Sequence, residues 1–116
     1  ILLTCLTLTF LTELTSNVAT ATIFMPIVAS IATVAGVHPY LLMIPATISA
    51  SCAFMLPVAT PPNAIIFASG HVTIPDMVKT GLILNLVGIV LVALVGYFVV
   101  VPVFGISLNS LPAWVE

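Results

Sequence analysis

The fold of this chain is decided by one short stretch, Ala59-Thr60-Pro61-Pro62-Asn63, which interrupts a long apolar run. Pro61 and Pro62 have no backbone N–H, so the carbonyls four residues before them lose their helical partners. Thr60 and Pro61 each precede a proline, and that position disfavours the α region. We therefore predict that the helix unwinds over residues 58–62 and restarts there, with Thr60 as the N-cap and Pro61 in the first turn.

A second interruption, Thr15-Ser16-Asn17-Val18, also has apolar sequence on both sides. It separates two predicted helical runs, residues 1–14 and residues 20–35, and the second run stops at Gly36. Sixteen residues in a helix rise only about 24 Å, which is short of the ~30 Å hydrocarbon core of a bilayer. The pattern predicts a re-entrant hairpin over residues 1–35, with its tip at residues 15–18.

The composition indicates an all-α integral membrane protein. The sequence is 62% hydrophobic and 3% charged, whereas soluble domains carry roughly 25% charged residues, with which they cover a water-facing surface. One Lys without any Arg excludes nucleic-acid binding through a basic face, so the lipid bilayer is the expected partner. Because the apolar run begins at Ile1 without a basic flank, we expect the C-terminal fragment of a longer protein.

The middle of the chain, residues 36–70, is predicted to be one discontinuous membrane helix. Pro45 and Pro57 each remove an interior hydrogen bond and are expected to kink it. The helix is then unwound at residues 58–62, and a short half-helix follows over residues 63–69.

The last part of the chain is predicted to cross the membrane once. Residues 71–101 comprise a connecting loop and a full C-terminal transmembrane helix over residues 76–101, which is long enough to span with some tilt. Residues 102–116 form an interfacial C-terminal tail, in which Trp114 suits a position at the lipid headgroups.

Small residues in the apolar runs are interpreted as packing positions. Gly81, Gly88 and Gly96 lie along the last helix, where they favour close helix packing. Cys5 and Cys52 have no second thiol or His at ligand spacing, so we expect small buried apolar side chains rather than a disulfide or a metal site.

The chemistry is predicted from the helix ends that the two interruptions create. A helix N-terminus carries unpaired N–H groups and a partial positive charge, and a C-terminus carries the opposite. If the interruptions meet, the two N-terminal ends can face a carboxylate, while carbonyls, hydroxyls and the Asn17 amide can coordinate a hard cation. No Arg or Lys lies at membrane depth to neutralise an anion. Cotransported cations would supply that charge, which favours cation-coupled anion symport.

Two stretches, Leu11–Asn17 and Phe54–Ala64, resemble the divalent anion–sodium symporters, which are sodium-coupled di- and tricarboxylate transporters. The likeness covers nearly the whole chain. It implies the second re-entrant hairpin over residues 1–35, the unwound next-to-last helix over residues 38–70 and the final span over residues 76–101.

The resemblance also implies a mechanism and partners. It implies elevator-type secondary active transport of a succinate- or citrate-like anion, with sodium as the coupling ion and no other cofactor or metal. The transporter would be a homodimer in the plasma or inner membrane. A first Ser-Asn-Thr hairpin with its own sodium site would belong to an N-terminal half that this chain lacks, so the fragment alone should not transport.

The resemblance assigns site residues but no catalytic residue. The sodium ligands would be backbone carbonyls and one side chain, namely those of Thr12, Thr15, Ala59 and Pro61 with the Asn17 side chain. The substrate carboxylates would meet Ser16, Asn17 and Val18 together with the Thr60–Pro61 turn. The family motif is Ser-Asn-Thr, and Val18 replaces its threonine here, so one hydroxyl donor is missing. We expect that change to affect the substrate more than sodium.

Several alternatives remain open on the sequence. A Ser-Asn pair is often only a turn with an N-cap, and a proline cluster is often only a kink. Glu13 is the one carboxylate near membrane depth, where it either braces the hairpin against neighbouring backbone or takes part in proton coupling. A proton-coupled permease or an exchanger for another divalent anion is the alternative function. A membrane enzyme is disfavoured because the deep polar residues offer no nucleophile–base pair.

Overall fold

The computed structural model describes residues 1–108 and 110–115, and this part of the chain contains helices and irregular segments without a strand. The five helices are α1 (Leu2–Thr12), α2 (Asn17–Val34), α3 (Pro39–Ser49), α4 (Pro61–Ala68) and α5 (Ile74–Val95). A π-helical turn, Gly96–Val100, extends α5 to Val103. The last helix therefore begins two residues before the predicted start and continues to Val103, two residues past the predicted end.

Two helices are long and apolar enough to cross a membrane. They are α2, with 18 residues, and the 30-residue continuous helix Ile74–Val103. An 18-residue helix rises about 27 Å, close to the thickness of the hydrocarbon core. The all-α architecture is confirmed, whereas the re-entrant path of residues 1–35 stays a prediction.

The break between α1 and α2 comprises Glu13 to Ser16, not residues 15–18 as predicted. Ser16 is the N-cap of α2 in an extended conformation, with φ −66° and ψ 136°. Asn17 and Val18 already form the first helical turn. The prediction was wrong because it placed both Ser16 and Asn17 in the turn, whereas Ser16 is the N-cap and lets the helix restart at Asn17.

The interruption between α3 and α4 is longer than predicted. The backbone leaves α3 after Ser49 and becomes helical again at Pro61, so residues 50–60 form one unwound segment rather than 58–62. Pro57 lies inside this segment, and the prediction that it kinks a helix was wrong. The predicted restart is confirmed, because Thr60 is the N-cap of α4 and Pro61 is its first residue.

Two glycines let α5 approach its neighbours closely. A Cβ added at Gly81 would lie 2.3 Å from the carbonyl oxygen of Phe54, and one added at Gly96 would lie 2.6 Å from Cγ of Pro45. The unwound segment and α3 therefore press directly on the backbone of α5. Close packing is confirmed at these two positions, but Gly88 has nothing within 4 Å and does not take part.

Helix α1 lies between α3 and α5 and holds the two interruptions near each other. Two buried apolar clusters surround it, one shared with α2 and α3 and one shared with α5. Their members are Leu8, Val28 and Ala46 in the first and Cys5, Ile89 and Val92 in the second. The interpretation of Cys5 as a small buried apolar side chain is confirmed, since it is 0% exposed.

The C-terminal tail returns to the start of α3. The ring of Trp114 lies 5.9 Å from the rings of both His38 and Tyr40, measured between centroids. This contact places the tail at the end of the helix bundle where α3 begins. Glu116, which belongs to the predicted interfacial tail, lies outside the described residues.

Candidate functional site

The two interruptions line one open cavity of about 910 Å³. Residues 14–18 form one wall, and the opposite wall consists of residues 57–64 with Ser51, Ala53 and Phe54. The expected meeting of residues 15–18 with residues 58–63 is therefore present. The cavity lies where α1 ends, α2 begins and the unwound segment passes into α4.

Most of the predicted site residues line this cavity. Thr15, Ser16, Asn17 and Val18 lie on the first wall, and Ala59, Thr60 and Pro61 lie on the second. Thr12 is the exception, because it is 0% exposed and lies behind the first wall in the last turn of α1.

Thr12 connects the two walls through its hydroxyl. Its Oγ1 lies 2.6 Å from Oδ1 of Asn17 and 2.9 Å from the carbonyl oxygen of Ala50. A hydroxyl has a single proton, so it cannot donate to both oxygens at once. Rotating the Asn17 amide by a half turn resolves the conflict, since Nδ2 then donates to Thr12, which donates to Ala50. In that orientation Oδ1 of Asn17 is free to bind a ligand.

Three of the four predicted ligand carbonyls are without hydrogen-bond donors. Within residues 1–108 and 110–115, no N–H or O–H donates to the carbonyl oxygens of Thr12, Thr15 or Ala59. At Ala59 the donor that a helix would supply is the N–H of Asn63, four residues on, and that N–H donates to Oγ1 of Thr60 instead. Pro61 differs, since a carbonyl in the first turn of a helix points along the helix toward its C-terminal end.

The two helix N-termini at the cavity are not equivalent as anion sites. No side chain caps α2, so the backbone N–H groups of its first turn, at Asn17 and Val18, are available at the cavity wall. At α4, Pro61 and Pro62 have no N–H, and the first N–H, that of Asn63, donates to Oγ1 of Thr60. Helix α2 can therefore donate hydrogen bonds to a carboxylate, whereas α4 contributes only the partial charge of its dipole.

Glu13 braces the unwound segment from behind the cavity. The side chain is 3% exposed. Its Oε1 accepts from the N–H groups of Phe54 (2.8 Å) and Met55 (3.0 Å), and its Oε2 accepts from Met55 and Leu56 (both 3.1 Å). Oε1 also accepts from Nδ2 of Asn85 on α5, at 2.7 Å. Every partner is a donor, which suits a carboxylate that only accepts; the bracing interpretation is confirmed.

Two asparagines to which the sequence assigned no role also hold the unwound segment in place. Nδ2 of Asn63 donates to the carbonyls of Ala53 (2.9 Å) and Leu56 (3.0 Å), which ties the unwound segment to α4. Asn85 is 0% exposed and ties it to α5 through Glu13. An amide inside an apolar membrane helix is costly unless it is paired, and that signal was present at both positions.

Comparison with known proteins identifies relatives of nearly the whole chain. Residues 1–106 match the family model described as sodium:sulfate symporter transmembrane region. The chain is 52% identical over 101 residues to the sodium-dependent dicarboxylate transporter SdcS of Staphylococcus saprophyticus, which covers 87% of the chain and 20% of that protein. It is 54% identical over 117 aligned residues to the Na(+)/citrate cotransporter of Mus musculus, covering 98% of the chain and 19% of that protein.

The chain spans about a fifth of the length of these relatives. They are named as transporters, in agreement with the expectation that the chain is not an enzyme. The family match, together with two helices of membrane-spanning length, identifies an integral membrane protein. The resemblance drawn from residues 11–17 and 54–64 is thereby confirmed, and the chain belongs to the sodium:sulfate symporter family.

Proposed function

We propose that this chain forms one half of the binding site of a sodium-coupled symporter for di- or tricarboxylates such as succinate or citrate. The observation that carries the proposal is the convergence of two broken helices on one cavity. Broken helices that meet at membrane depth are the usual way in which transporters bind an anion and a cation together. The names of the relatives, a dicarboxylate transporter and a citrate cotransporter, support the substrate class.

The sodium ion would bind at the carbonyl-rich side of the cavity. The unpaired carbonyls of Thr12, Thr15 and Ala59 and the side-chain oxygen of Asn17 offer neutral oxygen ligands, as hard cations prefer. Pro61 would add its carbonyl through the lone pair that its helix does not use. The buried hydroxyl of Thr12 fixes the Asn17 amide, so the ligand set is held in place before the ion arrives.

The substrate carboxylate would bind at the start of α2. The uncapped N–H groups of Asn17 and Val18 and the hydroxyl of Ser16 would donate to it, and the Thr60–Pro61 turn would form the opposite wall. Lys79, the only Lys or Arg in the sequence, lies in α5 and does not line the cavity. Bound sodium would therefore provide the positive charge that a dianion needs.

The cavity walls would move across the membrane as one unit. Glu13 joins the break after α1, the unwound segment and α5 by hydrogen bonds, so these parts resist separation. Such a unit is compatible with elevator-type transport, in which residues 1–35 form a re-entrant hairpin and the whole site moves against a homodimeric scaffold in the plasma or inner membrane. The remainder of the transporter would supply the first hairpin, with the family's Ser-Asn-Thr motif.

The proposal is tested with the full-length protein in proteoliposomes. Uptake of radiolabelled succinate should require an inward sodium gradient and should fall to background when choline replaces sodium. A proton gradient in choline serves as the matched condition. Equal uptake under that condition would overturn sodium coupling in favour of a proton-coupled permease of the same architecture.

A further inference from the structure

We propose that Asn85 of α5 is a positioning residue for the cation site, acting through Glu13 on the unwound segment; this inference rests on the function proposed above. Asn85 lies outside the cavity lining and is 0% exposed. Among the described residues, the only hydrogen bond of its side chain is the one that Nδ2 donates to Oε1 of Glu13, at 2.7 Å. Asn85 can therefore influence the cavity only through that carboxylate or through packing.

The contact fixes the direction in which Glu13 points. The Glu13 backbone belongs to the break after α1, but its carboxylate must turn toward the N–H groups of residues 54–56. A donor on the far side of Oε1 holds the carboxylate in that orientation. The bond is buried and one partner is a carboxylate, so it belongs to the stronger class of protein hydrogen bonds.

A neighbouring contact on α5 holds the same segment by packing alone. Gly81 lies one turn before Asn85, and the backbone of Phe54 presses on it where a Cβ would stand. Helix α5 thus meets the unwound segment twice, directly at Gly81 and through Glu13 at Asn85. Residues 57–60 of the same unwound segment line the cavity, and the Ala59 N–H donates to the carbonyl of Leu56, so a shift of residues 54–56 would also move Ala59.

Asn85 also has an unused acceptor. Its Oδ1 is buried and has no partner within the described residues. The amide cannot be rotated to satisfy Oδ1 without placing that oxygen against the Glu13 carboxylate. The observed orientation keeps Nδ2 of Asn85 as the donor to Glu13 and leaves Oδ1 without a donor. Within the described residues, the hydrogen bond to Glu13 is therefore the one polar contact that the Asn85 side chain makes.

The test is a double-mutant cycle in the full-length transporter with Glu13→Leu, Asn85→Leu and the double variant. Sodium binding is measured as the sodium-dependent shift in melting temperature, and transport is measured as succinate uptake against sodium concentration. We expect Asn85→Leu to raise the half-saturating sodium concentration about tenfold, as the loss of one charge-assisted hydrogen bond implies. The maximal rate per folded molecule should change much less.

The decisive result is the double variant. If Asn85 acts through Glu13, adding Asn85→Leu to Glu13→Leu should change sodium affinity little further, because the leucine at position 13 has no acceptor and the shared contact is already lost. Ile89→Val, a packing change one turn along the same buried face of α5, is the matched control and should be additive with Glu13→Leu. Asn85→Ser, whose side chain is too short to reach Glu13, and Glu13→Ala replace the leucine variants if these do not fold.

Two outcomes would overturn the inference: wild-type sodium affinity in the Asn85 variants, or additive effects of Asn85→Leu and Glu13→Leu. Measurements on the wild-type protein distinguish a failure of this inference from a failure of the proposed function. A wild type without sodium-dependent uptake or thermal shift overturns the proposed function, and the same cycle read as melting temperature then decides whether Asn85 acts through Glu13.

Discussion

Oγ1 of Thr12 lies 2.6 Å from the side-chain amide of Asn17, so the last turn of α1 is bonded to the first turn of α2 across the break. The same hydroxyl lies 2.9 Å from the carbonyl of Ala50, where the unwound segment begins. One buried side chain therefore connects both interruptions. It also determines whether the oxygen or the nitrogen of the Asn17 amide faces the cavity.

Replacing Thr12 with Val should weaken sodium binding. The substitution keeps the shape but removes the hydroxyl, which leaves the Asn17 amide unoriented and the carbonyl of Ala50 without a donor. A buried group left unpaired costs about 1–3 kcal/mol, so we expect the half-saturating sodium concentration for succinate uptake to rise roughly tenfold. Thr7→Val is the control, because the Thr7 hydroxyl is exposed and bonds only to Leu3 of its own helix. Equal effects of the two substitutions would contradict this role of Thr12.

Replacing Gly81 with Ala should destabilise the protein. The added Cβ would lie 2.3 Å from the carbonyl oxygen of Phe54, which is backbone and cannot rotate away. Overpacking of this kind costs typically about 1–3 kcal/mol, and the melting temperature in detergent should fall measurably. Gly88→Ala is the matched control on the same helix, with nothing within 4 Å, and it should leave the melting temperature unchanged or slightly raised. A Gly81→Ala protein as stable as Gly88→Ala would show that α5 does not press on the unwound segment.

Replacing Asn63 with Leu should also destabilise the protein and impair uptake. Asn63 donates to the carbonyls of Ala53 and Leu56; without it the carbonyl of Ala53 would be left unpaired and that of Leu56 would keep only the N–H of Ala59. Because each buried carbonyl then loses a partner, the cost should reach about 2 kcal/mol or more. Ser69→Ala serves as the control near the other end of α4, since its hydroxyl is exposed and bonds only to nearby backbone, the carbonyl of Ile66 and the N–H of His71. Wild-type thermal stability of Asn63→Leu would exclude this bracing role.

Replacing Val18 with Thr should improve substrate binding without altering sodium dependence. Val18 is 76% exposed at the start of α2 and lines the cavity beside Asn17. A threonine there adds a hydroxyl that can donate to a carboxylate, and such a bond is worth up to about tenfold in affinity. The KM for succinate and for citrate should be compared in the two proteins at saturating sodium. An unchanged KM for both anions would place the substrate elsewhere in the cavity.

The positions of the two interruptions could be predicted from local chemistry. Consecutive prolines cannot continue a helix, and Thr60 before them is a good N-cap, so the restart at Pro61 follows from the sequence alone. The meeting of the two breaks could be expected because irregular backbone at membrane depth must be buried in protein or line a polar cavity.

The extent of unwinding could not be predicted, because it depends on distant residues. Residues 50–56 contain apolar side chains that suit a helix, yet their N–H groups at positions 54–56 bond to Glu13, about forty positions away. The carbonyls of the same segment bond to Asn63. These tertiary hydrogen bonds replace helical ones, and no local pattern in residues 50–56 indicates that they form.

The central claim is that the cavity between residues 14–18 and 57–64 binds a cation and a carboxylate side by side. The most direct test is the affinity of the purified full-length protein for succinate at a series of sodium concentrations, and for sodium at a series of succinate concentrations. If the two ligands share the cavity, each should raise the affinity for the other by the same factor. Asn17→Ala should remove most of that coupling in a folded protein. Succinate binding that is independent of sodium, or wild-type coupling in Asn17→Ala, would contradict the account.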